Sequence, residues 1–178
     1  SNCDSLVFVK TDQIFNLYKT PKIWIDSTLL KSDTIALTLK NKKIDKIFLM
    51  NKSWIINKID FELYNQIFGL NSIGSFKNDS LDWIKSYGNG ESIYFAQNEK
   101  GALVGLNKAI CDTINIGFNN NKVSEVIFSG QPDAGFFPFD PESVNTYFLK
   151  GFSYTIYDNS SIDYRISNYL INTNSNVF

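Results

Sequence analysis

A chain of 178 residues is about the length of one domain and can bury roughly 70% of its unfolded surface around a single core. Hydrophobic residues at 43% and charged residues at 20% exclude a disordered tail, and no apolar run approaches the roughly 18 residues of a membrane-spanning helix. A net charge of −1, a single arginine (Arg165) and no histidine leave no basic stripe for nucleic acid and remove the commonest general base and zinc ligand. No nucleic-acid partner, metal or cofactor is expected.

The chain opens Ser1-Asn2-Cys3-Asp4 without a basic or apolar leader, so no export signal is expected within these residues, and a signal peptide removed upstream would leave the same start. A polar-polar-apolar signature starts the first of four similar units at Asp4-Ser5-Leu6. A polar turn follows at Thr11-Asp12, then apolar residues three apart at Ile14 and Leu17, a turn residue at Pro21 and an apolar stretch Ile23-Trp24-Ile25. The second unit runs Asp33-Thr34-Ile35, the turn Lys40-Asn41-Lys42, Ile44 and Ile47, Asn51, and Trp54-Ile55-Ile56. The third runs Asn71-Ser72-Ile73, the turn Lys77-Asn78-Asp79, Leu81 and Ile84, Gly88, and Ile93-Tyr94-Phe95. The fourth runs Asp112-Thr113-Ile114, the turn Asn119-Asn120-Asn121, Val123 and Val126, Gly130, and Phe136-Phe137.

Residues such as Ile35, Leu37 and Leu39, or Ile114, Ile116 and Phe118, alternate with the two-residue period of a half-buried strand. Asn and Asp at the turns tolerate left-handed backbone and close hairpins. Four units of this kind predict an all-β chain in which stacked copies pair edge to edge into two facing sheets. The space between the sheets is then either a packed sandwich core or an open groove. The first unit has nothing before its signature, which predicts further units upstream and an unpaired first edge. The pattern stops after Pro138 and Pro141; a capping helix over Pro141 to Leu149, a cap at Gly151-Phe152-Ser153-Tyr154 and a solvated tail are expected. Cys3 and Cys111 occupy equivalent places in the first and fourth units, separated by at least about 14 Å of strand layers, so no disulfide is predicted between them.

Catalysis is not expected. Asp60 and Glu62 could share a strand face, but carboxylates two apart are usually solvated, and Gly88-Asn89-Gly90 lacks the following Lys-Ser/Thr of a phosphate loop. Trp24, Trp54, Trp83 and nine tyrosines on a β scaffold leave a carbohydrate-binding or scaffold module as an alternative function.

Gly88-Asn89-Gly90-Glu91-Ser92-Ile93-Tyr94-Phe95, Gly105-Leu106-Asn107-Lys108-Ala109-Ile110-Cys111 and Pro132-Asp133 with Pro138 resemble the closing blocks of OstA-like proteins of Bacteroidetes-type bacteria. Pro21-Lys22-Ile23-Trp24 and Tyr64-Asn65-Gln66-Ile67 resemble earlier blocks, so the likeness spans residues 2 to 155. That family is similar to LptA and to the periplasmic domain of LptD. The resemblance implies a β-jellyroll, or β-taco, over residues 1–155, truncated at its start, with 156–178 as a C-terminal tail. Its two sheets would form a V that stacks end to end in the periplasm or at the periplasmic face of the outer membrane. Such a protein would bind lipopolysaccharide or a related lipid by its acyl chains and meet other β-jellyroll transport components, or copies of itself, by edge-strand pairing. Ile35, Leu37, Leu39, Ile47, Leu49, Phe76, Ile84, Ile93, Phe95, Ile114, Ile116, Phe118 and Phe128 are expected to line or border the trough. Ile116→Asp is expected to abolish lipid crosslinking while sparing the fold.

Overall fold

The structure, a computed structural model, describes residues 2–60, 63–119 and 122–154. Eleven strands form one antiparallel sheet: β1 (Ser5–Val9), β2 (Ile14–Tyr18), β3 (Lys22–Ile25), β4 (Thr28–Lys31), β5 (Thr34–Lys40), β6 (Lys43–Asp60), β7 (Leu63–Lys77), β8 (Ser80–Gln97), β9 (Leu103–Asn119), β10 (Lys122–Ser129) and β11 (Asp133–Pro138). The four long strands β6 to β9 run through a corner, where each adjacent pair shifts register: Met50/Ser53, Phe68/Asn71 and Tyr87/Gly90. Arm I therefore holds β1, β2, β5, β10 and one half of each long strand. Arm II holds β3, β4, β11 and the other halves.

The corner explains why the sequence repeats. Where the chain passes from arm I to arm II, two successive residues take left-handed backbone: Lys19-Thr20, Asn51-Lys52, Gly88-Asn89 and Gly130-Gln131. Two residues on that strand oppose fewer on its neighbour, which bends the sheet as a bulge does. The turn position expected at Pro21 in the first unit is thus filled by Lys19-Thr20. Backbone bonds tie these turns to the signature acids: Asp33 N donates to Asn51 O and Asp112 N to Gly130 O, both at 3.0 Å. A side chain on Gly130 would strike the Asp112 carboxylate, so glycine is required there twice over, for its φ of 78° and for space. In the third unit the signature is displaced by one residue. Ser72, not Ile73, lies in register with Leu49 and with Ser86, the partner of Ile114.

The hairpins of arm I fall at the expected turns. Asn41-Lys42 and Asn78-Asp79 both have positive φ at each residue, the backbone of a type I′ turn. Asn120 and Asn121 lie outside the described residues, as do Glu62 of the carboxylate pair and the tail 156–178. The first three units also contain a returning strand in arm II, such as Thr28–Lys31 in the first, which the repeat pattern does not mark.

Two hydrophobic clusters result. One lies between the arms and includes Leu17, Leu30, Ile35, Ile47, Ile55, Ile84, Ile114 and Ile116. The other lies on the opposite face of arm II and includes Leu29, Trp54, Ile56, Tyr64, Ile93, Phe95, Leu106 and Leu149. Residues 139–154 cover this second face. Their helical part is a 3-10 helix, Pro141–Thr146, shorter than the expected Pro141–Leu149. Asp140 caps it, accepting from Glu142 N at 3.0 Å and from the Ser143 hydroxyl, and these bonds hold its carboxyl below the usual carboxylate range. The strap is pinned by the fully buried Gln66, whose amide donates to Tyr147 O at 2.7 Å and accepts from Leu149 N at 2.9 Å. Phe152 stacks on Phe148 and packs on Trp54 and Tyr64. The segment expected to cap the last unit thus reaches back to strands of the earlier ones.

Candidate functional site: the trough between the arms

Strand register carries the inner residues of arm I into two continuous rows. Beside the corner run Leu6, Leu17, Ile35, Leu49, Ser72, Ser86, Ile114 and Phe128, each paired across to the next strand. The second row is Phe8, Phe15, Leu37, Ile47, Gly74, Ile84, Ile116 and Val126. A two-residue period along every strand makes these rows inevitable once the register is set. Small residues sit where space closes: a Cβ on Gly74 would meet Ile47 at 2.9 Å and Ile84 at 3.0 Å.

Arm II faces these rows with Ile23, Leu30, Ile55 and Ile67 near the corner. Farther from the corner its inner face turns polar, with Thr28, Asn57 and Asn65 in register and Tyr94 paired with Asn107. Asn65 Oδ1 accepts from Phe95 N at 2.8 Å, and Asn57 donates to the hydroxyls of Ser27 and Thr28. The trough is closed over its middle, where Ile35, Ile47, Leu49, Ile84 and Ile114 are fully buried. It opens at both ends. Leu6 and Phe8 on β1 remain 49% and 43% exposed, and a cavity of about 280 Å³ lies among Tyr94, Asn107, Val123, Val126 and Phe128 beside β10.

Of the thirteen expected lining residues, Ile35, Leu37, Ile47, Leu49, Ile84, Ile114 and Ile116 are buried in the inner cluster, with Phe76, Phe118 and Phe128 packed against it. Leu39 is half-buried at the hairpin end of β5, opposite Ile44. Ile93 and Phe95 lie elsewhere. From Ile84 to Tyr94 the even-numbered residues of β8 face the trough on both sides of the corner, so these two point outward into the second cluster, Phe95 against Phe139 and Tyr147. Leu6, Phe8, Tyr94 and Val126 also face the trough without having been expected there; alternation from Leu17 and Ile116 across paired strands points to the first two and the last. Trp54 is buried beside Phe68, Trp24 is half-buried in the same cluster, and Trp83 is 38% exposed on arm I. Cys3 and Cys111 are free thiols in or against the inner cluster.

No family model and no curated protein matches the sequence. Among solved structures, the chain is similar to LptH of Pseudomonas aeruginosa, the LptA homologous periplasmic component of the lipopolysaccharide transport device. The likeness has a TM-score of 0.54 and 13% sequence identity, and covers 78% of this chain and 93% of LptH. The fold is that of the LptA-like β-jellyroll. The bent, unclosed antiparallel sheet is therefore a known architecture.

Proposed function

We propose that this protein is a lipid carrier of the lipopolysaccharide-transport type, working in the periplasm and holding acyl chains between its arms. The reading rests above all on the two inner rows, which run apolar across arm I, broken only by small residues, and end in exposed Leu6 and Phe8 and in the cavity beside Val126. Each methylene withdrawn from water there contributes on the order of 0.8 kcal/mol, so a chain sliding along the trough needs lining more than it needs specific contacts. Opening the arms around a lipid would exchange side-chain packing for acyl packing at similar apolar area. Lipopolysaccharide or a related lipid is the cargo, and the unpaired backbones of the edge strands at both ends of the sheet suit pairing with other β-jellyroll components or a second copy. Transfer toward the outer membrane and the absence of catalysis belong to the same reading.

Ile116 is only 1% exposed, so a carboxylate there would be buried unpaired and would unfold the arm as readily as block a lipid. Val126, half-buried at the cavity, is the better test. Val126→Asp should cut photo-crosslinking of a lipid probe about tenfold or more while the far-ultraviolet spectrum and unfolding midpoint stay near wild type. Undiminished crosslinking in a folded Val126→Asp protein would sink the trough assignment, as would native mass spectra of freshly purified protein without lipid adducts.

A further inference from the structure

A second cavity, of about 330 Å³, lies outside the trough, where the corner meets the outer face of arm II and the strap. It is walled by Lys22, Lys31 and Lys52 and by the hydroxyl residues Thr20, Ser32 and Ser153, with Asp33 as its one acid. Lys22 and Lys31 stand directly opposite each other on β3 and β4, and like charges in that arrangement destabilise a sheet. The Lys31 ammonium is not relieved by a carboxylate. Its partners are the carbonyl and hydroxyl of Ser153 at 2.7 and 2.8 Å, and the face of Trp54 at 5.0 Å. Asp33 sits 3.9 Å from the Lys52 ammonium. The strap thus closes over an ammonium that a hydrophobic residue of the same length would fill without penalty.

We propose that this pocket binds a phosphoryl group, with the ammoniums of Lys22, Lys31 and Lys52 and the hydroxyl of Ser153 donating to its oxygens. An anion bridging Lys22 and Lys31, such as a phosphate monoester dianion, turns their repulsion into attraction. Burial and the neighbouring Lys22 already lower the Lys31 ammonium to about 8, so it is still largely protonated at neutral pH and able to donate. The site is independent of the trough: it lies on the other face of arm II and stands whether or not the interior carries lipid.

The test is calorimetric titration of the full chain with inorganic phosphate at pH 7 and low salt, alongside sedimentation with vesicles of phosphatidylcholine alone or containing phosphatidic acid. Saturable binding of inorganic phosphate identifies a free-anion site. Binding only to the phosphatidic acid vesicles identifies a lipid headgroup as its source. In either case Lys31→Met, which keeps the stem over Trp54, and the exposed Lys52→Gln should each weaken binding about tenfold. Lys100→Gln, in the turn between β8 and β9, should leave it unchanged. Phosphate should also raise the titration midpoint of the Lys31 side chain, followed by NMR. Failure of both ligands to bind overturns the proposal, as does equal weakening by Lys100→Gln or an unmoved Lys31 titration.

Discussion

The two arms share strands but not construction. Arm I is apolar toward the trough and largely polar outward, as a sheet with one solvated face should be. Arm II is buried on both sides near the corner, by the opposite arm within and by the strap of residues 139–154 without. Between Trp83 and Phe95, β8 therefore gives its even-numbered residues to the trough in both arms, while its odd-numbered residues meet solvent in arm I and a second core in arm II. The comparison teaches that an apolar residue in this chain marks the interior of the V only in arm I. In arm II it can equally mark the seat of the strap.

Truncating an outward-facing tryptophan in each arm is the strongest way to break this contrast. Trp54→Ala, beneath the strap, should cost about 3–5 kcal/mol in urea unfolding, whereas Trp83→Ala, half in solvent on arm I, should cost about 1 kcal/mol or less. Equal losses would mean that the outer face of arm II is not a core. Gln66→Leu sharpens the point, because it leaves the Leu149 amide and the Tyr147 carbonyl without their buried partner. A loss of about 1–3 kcal/mol is expected, with faster hydrogen exchange at Leu149 and none at Ile116; uniform exchange across both arms would argue that the strap is not a separate layer.

The smallest effect is on pH dependence. The folded Lys31 releases its proton near 8, well below the ordinary 10.5 of the unfolded chain. Between those values the unfolded state binds more protons, so this residue makes stability rise with pH, and below 8 its burial penalty is fully present. Tyr154 works the other way: burial and Tyr64 raise its hydroxyl above 10, so its contribution is lost as the unfolded phenol ionises first. From pH 8 to just under 10 the wild-type melting temperature should climb relative to that of Lys31→Met, and parallel curves would show that the ammonium is not buried by the strap.

Much of arm I could be read from residue order. Asn41-Lys42 and Asn78-Asp79 announce tight turns, and the alternation of Ile35 with Leu37, or of Ile114 with Ile116, requires extended chain with one buried side. The one-residue displacement at Ser72 escaped because Leu70 takes the corner place held elsewhere by an acid, and no local preference marks that exchange. Ile93 and Phe95 were misplaced for a different reason. Their alternation is as regular as that of Ile114 and Ile116, and periodicity reports that one face is buried without saying which face.

Local backbone preference and the two-residue period of side chains were enough to establish an all-β chain of repeated hairpins, since both act within a few residues. The choice of which apolar face lies in the trough, the doubling of arm II by residues 139–154, and the meeting of Lys22, Lys31 and Lys52 around one cavity depend on contacts such as Gln66 with Leu149 and Lys31 with Ser153. Those join positions far apart in the chain, where burial is shared between segments and no short stretch carries a record of its partner.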